Sequence, residues 1–367
     1  MTDAPPVGLR TVFAGRRGWF LAALLATEFG GAMQGIAYAT VLPVVAAHLD
    51  GFRLFGATLA AGSIASVVML AVAGAVLGRV RPGIVLLVAT AGYVMGAAMS
   101  VSAPTMGWVL AGTVVRGLAS GLLAGFGSGA IGALFDARER PRVFGLFAMI
   151  WLLPSLVGPL LNAGLTEWAG WRWAVGWPAV LVVAGRFLMG RFVSEVPWTP
   201  GREPIRLGTG LAVAGGLVLG AIGSAGSGPW AIPVFAVGVL VAAAGIGRFL
   251  LRAAGNRPLA RVIVAFALLC AGFFGVYELL SLTLTEGLGE PLIWASVAVM
   301  ASLGAWSLAG LRPRPAARPD AVILGSILVT AAAAGMLLAI GTAAWPSRSC
   351  WPRPPWPGWG WEWRIRC

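Results

Sequence analysis

The amino-acid sequence predicts an all-α polytopic membrane protein, a set of helical bundles with about 11 transmembrane helices. Three observations lead there. Apolar stretches of roughly twenty residues follow one another from the N-terminus, the length a helix needs to cross a hydrocarbon core of about 30 Å while satisfying its own backbone hydrogen bonds. Of the 367 residues 59% are hydrophobic and 11% charged, with a mean hydropathy of +0.87, which excludes a soluble domain. Arginines, finally, fall in every second gap. With a cytoplasmic N-terminus, the inside segments hold Arg10, Arg16, Arg17, Arg79, Arg81, Arg138, Arg140, Arg142, Arg186, Arg191, Arg202, Arg206, Arg248, Arg252, Arg257, Arg261, Arg312, Arg314 and Arg318. The outside loops as far as residue 343 hold only Arg53 and Arg172, and this asymmetry predicts the orientation through the positive-inside rule.

The elements follow in order. Residues 1–18 form a cytoplasmic N-terminus. Span 1, at 19–47, is too long for the apolar region of a secretory signal, and no A-x-A-like site follows it. Spans 2 to 6 lie at 54–78, 83–103, 107–134, 143–169 and 171–193, completing a six-helix bundle over 19–193. The link at 194–207, within SEVPWTPGREPIRLGTG, is polar and rich in Pro and Gly, as a hinge between bundles should be. Spans 7 and 8, at 208–227 and 230–251, form a pair over 208–252. Spans 9 to 11, at 261–284, 291–311 and 320–343, form a partial second bundle over 261–344.

After Ala344 the composition changes to WPSRSCWPRPPWPGWGWEWRIRC, a stretch over 345–367 that cannot span a membrane. It would also place Arg348, Arg353, Arg364 and Arg366 outside, against the rule the rest of the chain obeys. The chain contains arginine and no lysine, which points to GC-rich codons. Read with the third base of each codon joined to the first two of the next, the segment from Trp345 spells Ala, Leu, Val and other apolar residues, and Gly358 to Arg366 spell a Gly-patterned apolar helix. One reading is therefore a frameshift near residue 345 that replaces natural C-terminal spans. The other is a genuine Trp-rich tail at the membrane interface, where Trp and Arg are both favoured.

Composition also bounds function. The formal net charge of +13 is dispersed over short loops instead of gathered on one face, so it does not describe a nucleic-acid surface. Three cysteines, of which Cys270 lies inside a span, make no disulfide framework, and a single His48 leaves no metal-ligand set. No P-loop pattern occurs, and no span carries paired His or nucleophile–base spacing, so neither a nucleotide-driven pump nor an enzyme is expected, and no cofactor.

Ionisable side chains at membrane depth cost several kcal/mol and point to function. Glu28 lies in span 1, Arg116 in span 4 and Glu278 toward the outer third of span 9. Glu278 follows Tyr277 in FFGVYELLSLTLTE, offering a carboxylate beside an aromatic face that would attract an amphipathic cation; alternatively it reaches the outer interface with Glu286 and Glu290. The span 4 glycines, Gly121 among them, and Gly158 with Pro159 in span 5 allow close helix approach and a local kink.

Several short motifs then fall where one family places them. GAVLGRVRPG, from Gly74 through Arg79 and Arg81 to Gly83, lies between spans 2 and 3; Arg116 precedes GLASGLLAGFGSG in span 4; PSLVGPLLNAG in span 5 contains Gly158 and Pro159; and WRW at Trp171 to Trp173 opens span 6. In these the chain resembles the major facilitator superfamily, and within it the fourteen-span drug:proton antiporter branch. Departures are Gly78 where that family's first motif carries an acidic residue, Arg81 where it carries Gly, Ala119 where the arginine motif carries Gln, and Gln34 and Ile36 before Val41, Leu42 and Pro43. The resemblance implies that spans 7 and 8 are inserted between two six-span halves.

It further implies a proton-coupled secondary transporter in the cell membrane, exporting an amphipathic organic or drug-like solute by alternating access, whose partners are that solute, protons and the lipid bilayer, and which acts as a monomer. Spans 1 and 4 line the central cavity in that superfamily, so Glu28 and Arg116 are expected to meet there as the coupling pair, with Glu278 as a third charge and Gln34, Tyr38 and Tyr277 lining the cavity. Protonation of Glu28 would then free Arg116. The alternative is a fixed ion pair that only sets packing. Gly74, Arg79, Arg81, Gly121, Gly158 and Pro159 are expected at gates and seams, Arg79 and Arg81 either latching helix ends or serving only as topology signals. A second functional reading is a truncated, transport-inactive membrane protein from a frameshifted gene, because alternating access needs both halves around a midplane site.

Overall fold

The computed structural model describes residues 9–197, 208–226, 228–253 and 257–310. Among these the secondary structure is helical throughout: α1 Leu9–Val12, α2 Gly15–His48, α3 Phe55–Leu77, α4 Pro82–Val101, α5 Met106–Leu134, α6 Arg140–Ile150, α7 Leu152–Ala169, α8 Trp171–Gly190, α9 Gly208–Ala225, α10 Ala231–Ala253, α11 Arg257–Leu282 and α12 Leu292–Gly310. Seven helical segments are long and apolar enough to cross a membrane; Gly208–Gly223 and Leu292–Gly304 are apolar over shorter windows. The predicted spans coincide with these helices to within a few residues, with one difference in kind. Span 5 is two helices, α6 and α7, parted at Trp151. The predicted eleventh span, the Trp-rich tail and most of the link at 194–207 lie outside the described residues.

Local chemistry sets the ends. Pro82 stands in the first turn of α4, where its missing N–H leaves no hydrogen bond unmade. Gly170 joins α7 to α8 at φ +90°, a conformation open to glycine and strained for any residue with a Cβ. α11 runs into a π-helical turn at Thr283–Gly287, after which Gly289 at φ 72° turns the chain toward α12.

Helix α2 is the hub. It is buried along most of its length and packs on α8 and α7, with α11 and α12 also against it. The tight seams are built from small residues, because helices in lipid gain by close approach more than by apolar transfer. A Cβ on Gly30 would come within 2.8 Å of Val182, and one on Gly185 within 2.6 Å of the Thr27 hydroxyl, closing α2 onto α8. Along α5, Gly117 meets the Gly62 carbonyl and Gly121 the Ser66 carbonyl of α3, both at distances that admit no side chain. On the other flank of α5, Gly112 lies against Ser100 and Gly96 of α4. Gly121 thus lies in the α3–α5 seam, and Gly158, buried in α7 beside Pro159, lies against Ile36 and Met33 of α2.

α9 and α10 pack on each other and, through α9, on the outer side of α3, where Gly210 abuts Ala71. The pair therefore sits on the flank of the first bundle and leaves the bundle interior to other helices. Contact between α11 and α2 is polar as well as apolar: the Ser281 hydroxyl donates to the Thr40 carbonyl at 2.9 Å, beside a cluster of Ile36, Ala39, Tyr277, Val299 and Leu303.

Candidate functional site

A cavity of about 650 Å³ opens inside this arrangement, of the size that takes a drug-like molecule. Its longest wall is one face of α2, where Glu28, Gly31, Gln34, Gly35 and Tyr38 recur at helical spacing. Gly31 and Gly35 have open space where a Cβ would project, so the wall is recessed there. Helix α3 contributes Thr58, Gly62, Ser63 and Ser66; α5 contributes Arg116, Ser120 and Ser128; Tyr93 enters from α4, Arg186 from α8, Trp151 from the α6–α7 break and Glu278 from α11. Five predicted residues, Glu28, Arg116, Glu278, Gln34 and Tyr38, therefore line one cavity.

Their pairing differs from expectation. Arg116 and Glu28 share the cavity but form no ion pair; the Arg116 guanidinium lies 4.2 Å from the centre of the Tyr38 ring and donates to the Tyr38 hydroxyl at 3.1 Å. Glu28 shares its part of the cavity wall with Trp151, whose side chain acts on the carboxylate as a hydrogen-bond donor would. The reason is geometric: Tyr38 stands ten residues beyond Glu28 on the same face of α2, and its ring meets the guanidinium first. Tyr277 also departs from expectation, since it is absent from the cavity wall. It is buried between Phe273, stacked at 6.3 Å, and Phe274, edge-on at 6.2 Å, facing α2 and α12. Neighbours on a helix point about 100° apart, so the turn that brings Glu278 into the cavity sends Tyr277 into the packing.

Arg186 is the residue that sequence reasoning missed. The charge asymmetry places it among the inside arginines, yet it is 2% exposed, lines the cavity, and lies 4.5 Å from the centre of the Tyr93 ring. Its Nη1 donates to the Ala89 carbonyl at 2.7 Å, while its buried Nε has no partner. The signal was present: Arg186 falls within the predicted span 6, separated from Arg191 by Phe187, Leu188, Met189 and Gly190. Tyr93 connects the parts, donating to the Gln34 side chain at 3.4 Å while Gln34 donates to the Val175 carbonyl at 3.0 Å.

The remaining predicted residues lie at the end of the bundle that carries the N-terminus. Gly74, near the C-terminus of α3, has open space around its Cβ position; Arg79 is exposed and donates only to the Ala75 carbonyl of its own helix, at 3.2 Å; Arg81 caps the start of α4 and is exposed. Neither arginine has a carboxylate partner among the described residues, so neither latches a neighbouring helix there. The latch at this end is built from other residues. Arg17 of α2 makes a bidentate pair with Glu139, before α6, at 2.9 and 3.2 Å, and Glu139 also accepts from the Asp136 backbone N–H at 3.1 Å. Arg16 pairs with Glu195 at 2.6 Å.

Comparison with known proteins agrees with this architecture. The model of the Major Facilitator Superfamily matches residues 20–348. A protein of Mycobacterium tuberculosis described as a probable multidrug-efflux transporter is 27% identical over 228 residues, covering 62% of this chain and 45% of that protein. The multidrug efflux pump SdrM of Staphylococcus aureus is 26% identical over 154 residues, covering 41% and 34%. Alignment thus spans less than half the length of either relative. Among solved structures, the POT family transporter PepTSo superposes with a TM-score of 0.55 at 15% identity, covering 80% of this chain and 68% of that one. An auto-inhibited POT family peptide transporter superposes at 0.51 and 15%, covering 88% of each chain. At such identity the likeness is one of fold.

Proposed function

Because this chain belongs to the major facilitator superfamily, we propose that it is a proton-coupled secondary transporter, exporting an amphipathic organic solute by alternating access. It works as a monomer in the cell membrane with its N-terminus in the cytoplasm. The observation that carries this reading is the convergence of Glu28, Arg116 and Glu278, from three helices, on one cavity of about 650 Å³. The multidrug-efflux description of the relatives supports export of drug-like compounds.

Glu28 is the proton carrier. Its carboxylate shares the cavity wall with Trp151 at the break in the fifth predicted span, so the state of one proton is read directly by the joint between α6 and α7. When Glu28 takes a proton, the carboxylate loses the charge on which the indole acts and the hold on that joint weakens. A solute entering the cavity displaces the proton, and the first bundle, held as a unit by the small-residue seams between α2 and α8 and between α3 and α5, rocks against the second. Glu278 supplies a second charge from α11, a helix that also borders α2.

The test is transport by the purified protein in sealed vesicles. An imposed pH gradient should drive accumulation of a drug-like fluorescent solute above its equilibrium level. Glu28→Gln should abolish gradient-driven accumulation and retain exchange of labelled for unlabelled solute. Unaltered accumulation by that variant would remove Glu28 from the coupling, and absence of any solute flux in the wild type would overturn the reading as a transporter.

A further inference from the structure

Two guanidinia stand in the cavity wall without a carboxylate. Arg116 is 7% exposed and Arg186 2%, and among the described residues neither lies within 4 Å of an acidic oxygen; Arg116 rests on Tyr38 and Arg186 on Tyr93. A tyrosine face attracts a cation but leaves its charge uncompensated, and a buried ion without a counter-charge is costly. The acidic residues of the cavity do not supply it. Glu28 is engaged with Trp151, and Glu278 arrives from α11, each outside ion-pair distance of both guanidinia. The two cations line one cavity, Arg186 on the ring of Tyr93, whose hydroxyl donates to Gln34, and Arg116 on Tyr38, one helical turn beyond Gln34 on the same face of α2. The buried Arg186 Nε has an unused donor, and Thr58 Oγ1 in the same wall is likewise buried without a partner.

We propose that Arg116 and Arg186 form a clamp for an acidic group, a carboxylate, sulfonate or phosphate, on the solute this cavity carries. The clamp rests on the transport reading for its purpose and on the cavity geometry for its chemistry. A planar guanidinium presents paired N–H donors that match two acidic oxygens, and a lysine in the same place would not. The recessed floor at Gly31 and Gly35 leaves room for an apolar body beside the clamp. The solute is thus an amphipathic acid, or a zwitterion whose cationic end turns toward Glu278 and Glu28. This reverses the preference for a simple organic cation that the Glu278–Tyr277 pair offers in the sequence, because Tyr277 is packed away from the cavity.

Binding by the purified protein in phosphatidylcholine nanodiscs tests the clamp without requiring transport. Dansylglycine and its uncharged methyl ester share one fluorophore and differ in the acidic group. The wild type should bind the acid at least about tenfold more tightly than the ester, Arg186→Gln and Arg116→Gln should weaken the acid by about ten- to a hundredfold with the ester unchanged, and Arg191→Gln, an exposed cation on the same helix, should change neither. Ester binding reports folding; should Arg186→Gln lose it, Arg186→Lys decides, because it keeps the charge and loses the fork, and should bind the acid less tightly than the wild type. Equal affinity for acid and ester in the wild type, or full affinity for the acid in both arginine variants, overturns the clamp. Gradient-driven transport without acid preference would overturn the clamp and leave the transporter reading standing, while acid binding without any transport in vesicles would uphold the clamp and overturn that reading.

Discussion

Two arginines at the N-terminal end of the bundle, Arg16 and Arg17, are seated on carboxylates, and two in its interior, Arg116 and Arg186, are seated on tyrosines. Arg17 holds Glu139 through two hydrogen bonds, and Arg16 holds Glu195; Arg116 and Arg186 lie on the rings of Tyr38 and Tyr93. The burial runs opposite to what stability alone would favour: the side chains of Arg16 and Arg17 are 62% and 33% exposed and paired, whereas the interior pair is nearly fully enclosed and uncompensated. A charge matched by an acidic neighbour is spent on structure. One left on an aromatic face is available to something that enters.

That difference can be broken by mutation. The largest effect is expected inside: Arg116→Gln should lower the catalytic efficiency of solute transport in vesicles by about a hundredfold and leave resistance to unfolding unchanged or slightly raised, because a buried unpaired charge has been removed. A matching loss of stability would mean that Arg116 is structural. Glu139→Gln should do the reverse. Losing the bidentate partner of Arg17 should cost about 1–3 kcal/mol in a denaturant titration, and a double-mutant cycle with Arg17→Gln should recover coupling of about 1 kcal/mol or more. Tyr38→Phe keeps the ring under Arg116 and removes the hydroxyl it donates to, so transport should fall by about tenfold or less and stability by about 1 kcal/mol. Smallest is Arg16→Gln, at the exposed end, where the pair with Glu195 should contribute about 0.5 kcal/mol and vanish in high salt.

How much of this was legible in the sequence follows from which forces reach into it. Helix positions were readable because the length and apolarity demanded by a bilayer act on each segment alone, so that Pro82–Val101 matches a predicted 83–103. The break at Trp151 left a single signal in RPRVFGLFAMIWLLPS, Pro154, whose missing N–H and ring fall on the carbonyl of Ile150, the last residue of α6. In the site, the cavity face of α2 could be read from Glu28, Gln34 and Tyr38 at helical spacing. Which residue each charge would meet could not, because it depends on the depth at which neighbouring helices cross. Arg186 shows the cost of the positive-inside rule applied too widely: the rule counts arginines near a span's end without asking whether the side chain turns outward to water or inward to Tyr93.

The central claim is that solute and proton compete for one cavity, and proton release on binding tests it most directly. Purified protein in weakly buffered solution should release protons when a transported zwitterion is added, its cationic end taking the place of the Glu28 proton, and Glu28→Gln should release none while still binding the zwitterion. Binding without proton release in the wild type, or undiminished release by the variant, would contradict the account.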